Sequence, residues 1–380
     1  MLSFFSFAKL TNIKGSYYVV IKSCHYGEKY LFSEDEIICI MKSRSVVLFI
    51  ILFCLPAMTS CRRNMYKVNV SSLSADIKIK RLEKEIFSLD PDKIPASVPL
   101  LKENFGSFLQ LFSYVINTGD INDPSFGDFL VRFCTDKLNY EVYLDVMKKY
   151  PNTDKLQKEL EDAFRHYIYY FPGKNTPAVY TCITGFNNSI IAGDSVIGIG
   201  LDRYMGSNSE YYKRLQIYRY LTTRMTSVNI VPDCIYSWGS TEWVFSGMNY
   251  PVDNVMSEMI HSGKLKYFEK CMLPEVSDSV IFGFSSKQMK FCRNNESQMW
   301  QYLVENNLLF STDRFVIRKL TDEAPFTSYF TNESPGRASI WLGFRIVESY
   351  MMKNRNISLA GLMSNTDVQS ILEKARYSPN

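Results

Sequence analysis

The chain has 380 residues, 46% of them hydrophobic, with 26 Phe and 25 Tyr. That much apolar material can bury a large core and excludes a disordered chain. The 43 Lys and Arg against 39 Asp and Glu leave a net charge of +4, too even a balance to give a footprint for nucleic acid. The three histidines, His25, His166 and His261, lie far apart. Neither HExxH nor any clustered histidine motif is available, so neither a metal nor another cofactor is indicated.

The first informative segment begins at Met41. Lys42 and Arg44 precede ten apolar residues, Val46 to Leu55, and then Pro56, Ala57, Met58, Thr59, Ser60 and Cys61. The apolar run is shorter than the ~20 residues that a membrane-spanning helix needs. A basic start, a short apolar run, small residues and a cysteine form a signal-peptide pattern. Met58-Thr59-Ser60-Cys61 resembles the lipobox of bacterial lipoproteins, with Met58 in the usual place of Leu. The resemblance implies a signal peptide over 41–60, cleavage before Cys61 and attachment of lipid to its sulfur. Two or more acyl chains hold a protein stably at a membrane without spanning it. Residues 1–40 contain Glu28, Glu34, Asp35 and Glu36 and carry no basic start of their own. We therefore read Met41 as the true start and 1–40 as an upstream stretch. No acidic run follows Cys61, which favours a periplasm-facing anchor.

Beyond the anchor, 61–74 reads as a polar tether and 75–380 as one globular domain. Residues 76–82 alternate as a strand. Helices follow at 97–116, 124–134, 139–149 and 152–170. Strands are expected at 177–184, 189–192 and 196–201, the last two joined by Gly193-Asp194-Ser195 as a hairpin. Further helices are expected at 209–227, 233–245, 252–270, 285–305, 337–353 and 366–376, with Pro232, Pro251, Pro274 and Pro335 at their boundaries. The fold class is α+β: a mostly helical single domain with a small central β-sheet, antiparallel or mixed. Cys134, Cys182, Cys234, Cys271 and Cys292 have no CxxC spacing. They allow either one or two disulfides or five buried thiols.

Asp202-Arg203-Tyr204 closes the last strand, and arginines and tyrosines crowd the helix after it. With Trp238, Glu242 and Trp243 they make a candidate recognition surface for protein partners or a glycan; the alternative is an aromatic helix interface. The glycines of 198–206 lack the lysine of a phosphate loop and read as close-packing positions or a bulge. Glu258 and His261 share a helical spacing. They read as a surface pair on an amphipathic helix, with a weak metal site or an unrecognised hydrolytic pair as the alternatives.

Ile183-Thr184-Gly185-Phe186-Asn187-Asn188-Ser189-Ile190-Ile191, Ile199-Gly200-Leu201-Asp202-Arg203-Tyr204-Met205-Gly206 and Ile230-Val231-Pro232-Asp233 resemble the gliding-motility lipoprotein family GldB of Bacteroidota. So do Met259 to Phe268 and Ser334-Pro335-Gly336-Arg337 through Val347. The resemblance implies a lipid-anchored envelope protein that binds components of gliding or related machinery. That family is in turn distantly similar to zinc-dependent peptidases. No histidine stands within 209–228, and Ser262 stands where such peptidases place an acid. The distant similarity therefore implies a degenerate peptidase scaffold, without metal and without catalysis. The alternatives are a hydrolase with an unrecognised site and a glycan-binding lipoprotein.

Overall fold

In the computed structural model, residues 64–245 and 252–379 are described in full, together with the backbone of strands within 5–32. The chain divides into two units, 1–65 and 66–380. In the first, β1 (Phe5–Ile13), β2 (Ser16–Ser23) and β3 (Lys29–Phe32) form an antiparallel sheet in that order. Met41, the signal segment 41–60 and Cys61 lie outside the described residues.

The second unit is built on β4 (Ile79–Arg81), β5 (Ala178–Cys182), β6 (Ile190–Gly193) and β7 (Val196–Gly200), in the order β4-β5-β7-β6. β4 and β7 run parallel to β5, and β6 pairs antiparallel with β7, so the sheet is mixed. Val179, Ile197 and Ile199 are β-branched and buried, which suits a covered strand. Gly198 has a tertiary role: a Cβ there would lie 2.2 Å from the Phe108 ring. Its absence lets that ring stack on Tyr180, with centroids 4.4 Å apart. Gly198 and Gly200, both within β7, thus serve close packing, whereas Gly206 has φ +108° and only ordinary contact where a Cβ would sit.

Helices surround this sheet. Five come before β5: α1 (Leu82–Phe87), α2 (Ile94–Val115), α3 (Phe126–Thr135), α4 (Lys137–Lys149) and α5 (Asp154–Tyr170). α2 bends at Gly106, whose φ of +49° interrupts the helix. After β7 come a 3-10 turn (Leu201–Tyr204), α6 (Glu210–Arg214), α7 (Arg219–Thr222), α8 (Ile230–Glu242) and α9 (Val255–Met272). The remaining helices are α10 (Asp278–Phe282), α11 (Ser286–Asn294), α12 (Glu296–Glu305), α13 (Arg314–Thr321), α14 (Ala338–Lys353), α15 (Leu359–Ser364) and α16 (Val368–Ala375). None of the described helices is long and apolar enough to cross a membrane.

Three expectations need correction. The helix over 209–227 is broken into short pieces, because the chain reverses at Gln216 with φ +53° and Ile217 N–H bonds back to Tyr212 O at 2.9 Å. The helix over 285–305 is two helices, parted at Asn295, whose backbone leaves the helical region. The packed chain begins inside the stretch expected to be a tether. Tyr66 and Val70 are buried, and Tyr66 Oη donates to Glu348 at 2.6 Å. Of the two alternatives left for the cysteines, the structure takes the second: all five are free, buried thiols, with no disulfide among the described residues. They are spread through the core as small apolar fillers. Burial pushes the Cys134 and Cys292 thiols up to about 12.

α9 is the central element. All its residues except Glu258 are buried, although it carries His261, Lys264, Lys266, Glu269 and Lys270. Each lysine finds oxygen partners. Lys264 Nζ donates to Met363 O and Asn365 O, at 3.2 and 2.6 Å. Lys266 Nζ donates to Glu269 and to Ile281 O, at 2.7 and 2.6 Å. Lys270 Nζ donates to Val276 O at 2.9 Å and pairs with Asp278 at 3.0 Å.

Candidate functional site

Two adjoining clefts, of 600 and 310 Å³, meet at Arg224 and Glu323. The smaller is walled by Arg203 and Tyr204 from the turn after β7 and by Asp233, Tyr236 and Ser237 from the first turns of α8. The larger lies between the turn at 220–229, helices α10 and α11, and the 323–337 segment that joins α13 to α14. A third groove, of 780 Å³ and more apolar, runs between α5, Ile230–Pro232 and Met272–Val276.

Arg224 organises the junction. Its Nη2 donates to Asp233 Oδ1 at 2.8 Å, and its Nη1 to Glu323 Oε1 at 2.9 Å. Tyr204 Oη donates to the other oxygen of Asp233 at 2.9 Å. Gly283 makes room for the guanidinium: its φ is +64°, and a Cβ there would lie 2.4 Å from Arg224 Nε. Burial works against the charge on Arg224, but Asp233 and Glu323 outweigh it and raise the guanidinium above its ordinary value.

Arg337 approaches the same carboxylate from the other side. Its Nη2 lies 3.0 Å from Glu323 Oε1 and donates to Phe282 O at 3.1 Å. Two local features set it there. Gly336 passes so close to Ala324 that a Cβ would lie 2.1 Å from the Ala324 carbonyl oxygen. Arg337 itself has φ +51°, a left-handed conformation that costs a non-glycine residue about 1–2 kcal/mol. Burial, followed by the neighbouring charge of Arg224, lowers the Arg337 guanidinium below its ordinary value.

The six residues expected to form one recognition surface are divided between different environments. Asp202 is fully buried, and its carboxylate accepts from Thr184 N–H at 3.1 Å and from Phe186 N–H, closing the loop after β5. Tyr204 is also buried, with its hydroxyl reaching the smaller cleft. Trp238 is buried with its ring edge-on to Phe164 and Tyr167. Arg203 donates to Phe186 O at 3.1 Å and lines the smaller cleft. Glu242 pairs with Lys174, whose Nζ lies 5.2 Å from the Trp243 ring centre. Trp243 in turn packs on Phe171 and Phe268. This division, in line with the aromatic-interface alternative, has a simple cause. Tyr and Trp carry large apolar rings, and here their burial outweighs display of their polar edges.

Sequence reasoning missed the junction itself. Asp233 and Arg337 stood inside segments that carried the family resemblance, and Arg224 stood among the arginines of 209–227. Glu323 gave no local signal.

The Glu258–His261 pair also needs correction. His261 is only 5% exposed, and its helix is buried around almost its whole circumference. Neither residue lines any of the three clefts. Burial, then the charges of Asp253 and Asp322, push the Glu258 carboxyl up to about 7. Burial, then Lys264, pull the His261 imidazole down to about 3. A carboxyl raised on folding contributes stability fully below its unfolded value, and that stability is lost as pH rises through its folded value. Glu258→Gln is therefore expected to leave thermal stability unchanged below about pH 4.5 and to raise it relative to the parent above about pH 7. Melting curves across pH 4–9 check this. Parallel parent and variant curves would remove the assignment.

Among the described residues, no group of three or more His, Cys, Asp and Glu side chains could hold a metal ion. The fold and clefts define a mostly helical α+β domain with a charged junction between two clefts. Residues 63–379 match the family of the gliding motility protein GldB, and the chain belongs to that family. It is a family of gliding motility proteins. No curated protein and no solved structure matches the chain significantly.

Proposed function

We propose that the protein is a lipid-anchored component of the cell envelope that serves gliding motility or related machinery by binding partners, without catalysis. Acylated Cys61 is the tether to the membrane, and the domain faces the periplasm. The observation that carries this reading is the position of the family match. It begins at residue 63, two residues after the cysteine that follows the signal-like segment. The junction supports a binding role. Asp233, Glu323 and the two arginines are engaged with one another in ion pairs, a set of fixed charges that suits recognition of a charged group.

Cys61→Ser tests the anchor. A serine oxygen cannot take the thioether-linked lipid, and the signal segment is then not cleaved. The variant is expected to leave the detergent-phase membrane fraction or to persist at the larger precursor mass, and to lose any role in surface spreading. Normal fractionation and mass of the variant would refute the tether.

A further inference from the structure

The protein supplies its own example of what the two arginines accept. Glu323 places a single oxygen, Oε1, between Arg224 Nη1 and Arg337 Nη2, at 2.9 and 3.0 Å. The Glu323 side chain is 43% exposed, so this carboxylate sits at the wall of the 600 Å³ cleft and within reach of solvent. Arg337 is only 9% exposed, yet its Nε is buried without a hydrogen-bond partner. A buried guanidinium N–H left unbonded costs more than an exposed one, and charge-assisted bonds to planar carboxylates are among the strongest it makes. The left-handed backbone at Arg337 and the close passage of Gly336 hold this under-bonded group at the cleft wall. Backbone strain of that kind persists where surrounding structure enforces it, often at ligand sites.

We propose that the larger cleft binds the carboxylate of a small acidic ligand, which docks on Arg337 and competes with Glu323 for it. A single negative charge fits better than a phosphate dianion, because Glu323 and Glu333 both line the cleft. Its volume lies in the range that encloses one small organic molecule. Lys287 at the start of α11 also lines the cleft and offers a further polar contact for the rest of the ligand. The carboxylate can come from an acidic sugar or from an acidic amino acid.

This proposal deepens the binding role argued above and gives it a ligand chemistry. It does not depend on the lipid, so a failed titration leaves the Cys61→Ser result standing, and the reverse. The test is calorimetric titration of the full chain with D-glucuronate and with N-acetyl-L-glutamate α-amide, each carrying one carboxylate, with neutral D-glucuronamide as the control. Saturable binding of at least one carboxylate, and none of the amide, is expected; the tighter of the two probes identifies the source. Arg337→Lys keeps the charge but loses the planar fork, and is expected to weaken binding about tenfold or more. Glu323→Gln removes the internal competitor and is expected to tighten binding by several-fold. Because these variants move affinity in opposite directions, loss of folding in either one leaves the other decisive. No saturable carboxylate binding, equal binding of the amide, or unchanged affinity in a folded variant would overturn the proposal.

Discussion

Gly343→Ala is expected to abolish folding or to lower the unfolding midpoint by several degrees. α9 and α14 cross at Gly263 and Gly343. A Cβ on Gly343 would lie 1.9 Å from Met259 O and 2.5 Å from Met259 C. A Cβ on Gly263 would lie 2.4 Å from Gly343 C. These neighbours are backbone atoms in the middle of two helices. They cannot swing aside as a side-chain end can, so the helices must separate. Interiors packed at crystal-like density absorb such a shift poorly, and overpacking commonly costs about 1–3 kcal/mol, and more where backbone must move. Here the displaced element is the helix at the centre of the core. Gly361→Ala supplies the control, since its nearest neighbour would be Ser358 Oγ at 3.4 Å, ordinary contact. Circular-dichroism melts of both variants check the contrast. A Gly343→Ala protein that melts with the parent would show that the two helices do not cross as described.

Glu269→Ala is expected to destabilise the protein by about 3–5 kcal/mol, because it leaves a buried ammonium without its counter-charge. Lys266 and Glu269 have side chains only 2% and 1% exposed. Lys266 Nζ also donates to Ile281 O and lies 4.3 Å from the Tyr236 ring centre. Burial moves both groups toward neutrality, Lys266 down to about 8 and Glu269 up to about 7. The pair therefore holds its charges against a desolvation penalty. Removing both charges removes that penalty as well. The double variant Lys266→Met, Glu269→Leu is expected to be clearly more stable than the single Glu269→Ala. Urea unfolding of parent, single and double variants measures the difference. A single variant as stable as the parent would mean that the pair is solvated and not buried.

The order and number of the major elements were readable because hydrophobic period is local. The strand near 178–182, the 190–200 hairpin and the helices near 94–115, 154–170, 255–272 and 338–353 all follow from apolar spacing and turn residues. The helices at 278–282, 314–321 and 359–364 were missed, since each has fewer than nine residues and carries too little periodic signal. The reversal at Gln216 was hidden because a glutamine rarely adopts positive φ, and nothing in its neighbours advertises it.

By itself the sequence determined the family to which the chain belongs and its mostly helical α+β character. Each of these depends on residues near one another along the chain. Tertiary structure alone decided which charged residues are buried and which of them meet. The lysines of α9 look like a solvated face until other helices close over them. Arg224, Asp233, Glu323 and Arg337 are spread over more than a hundred positions, and their charges interact only because folding brings them within hydrogen-bonding distance.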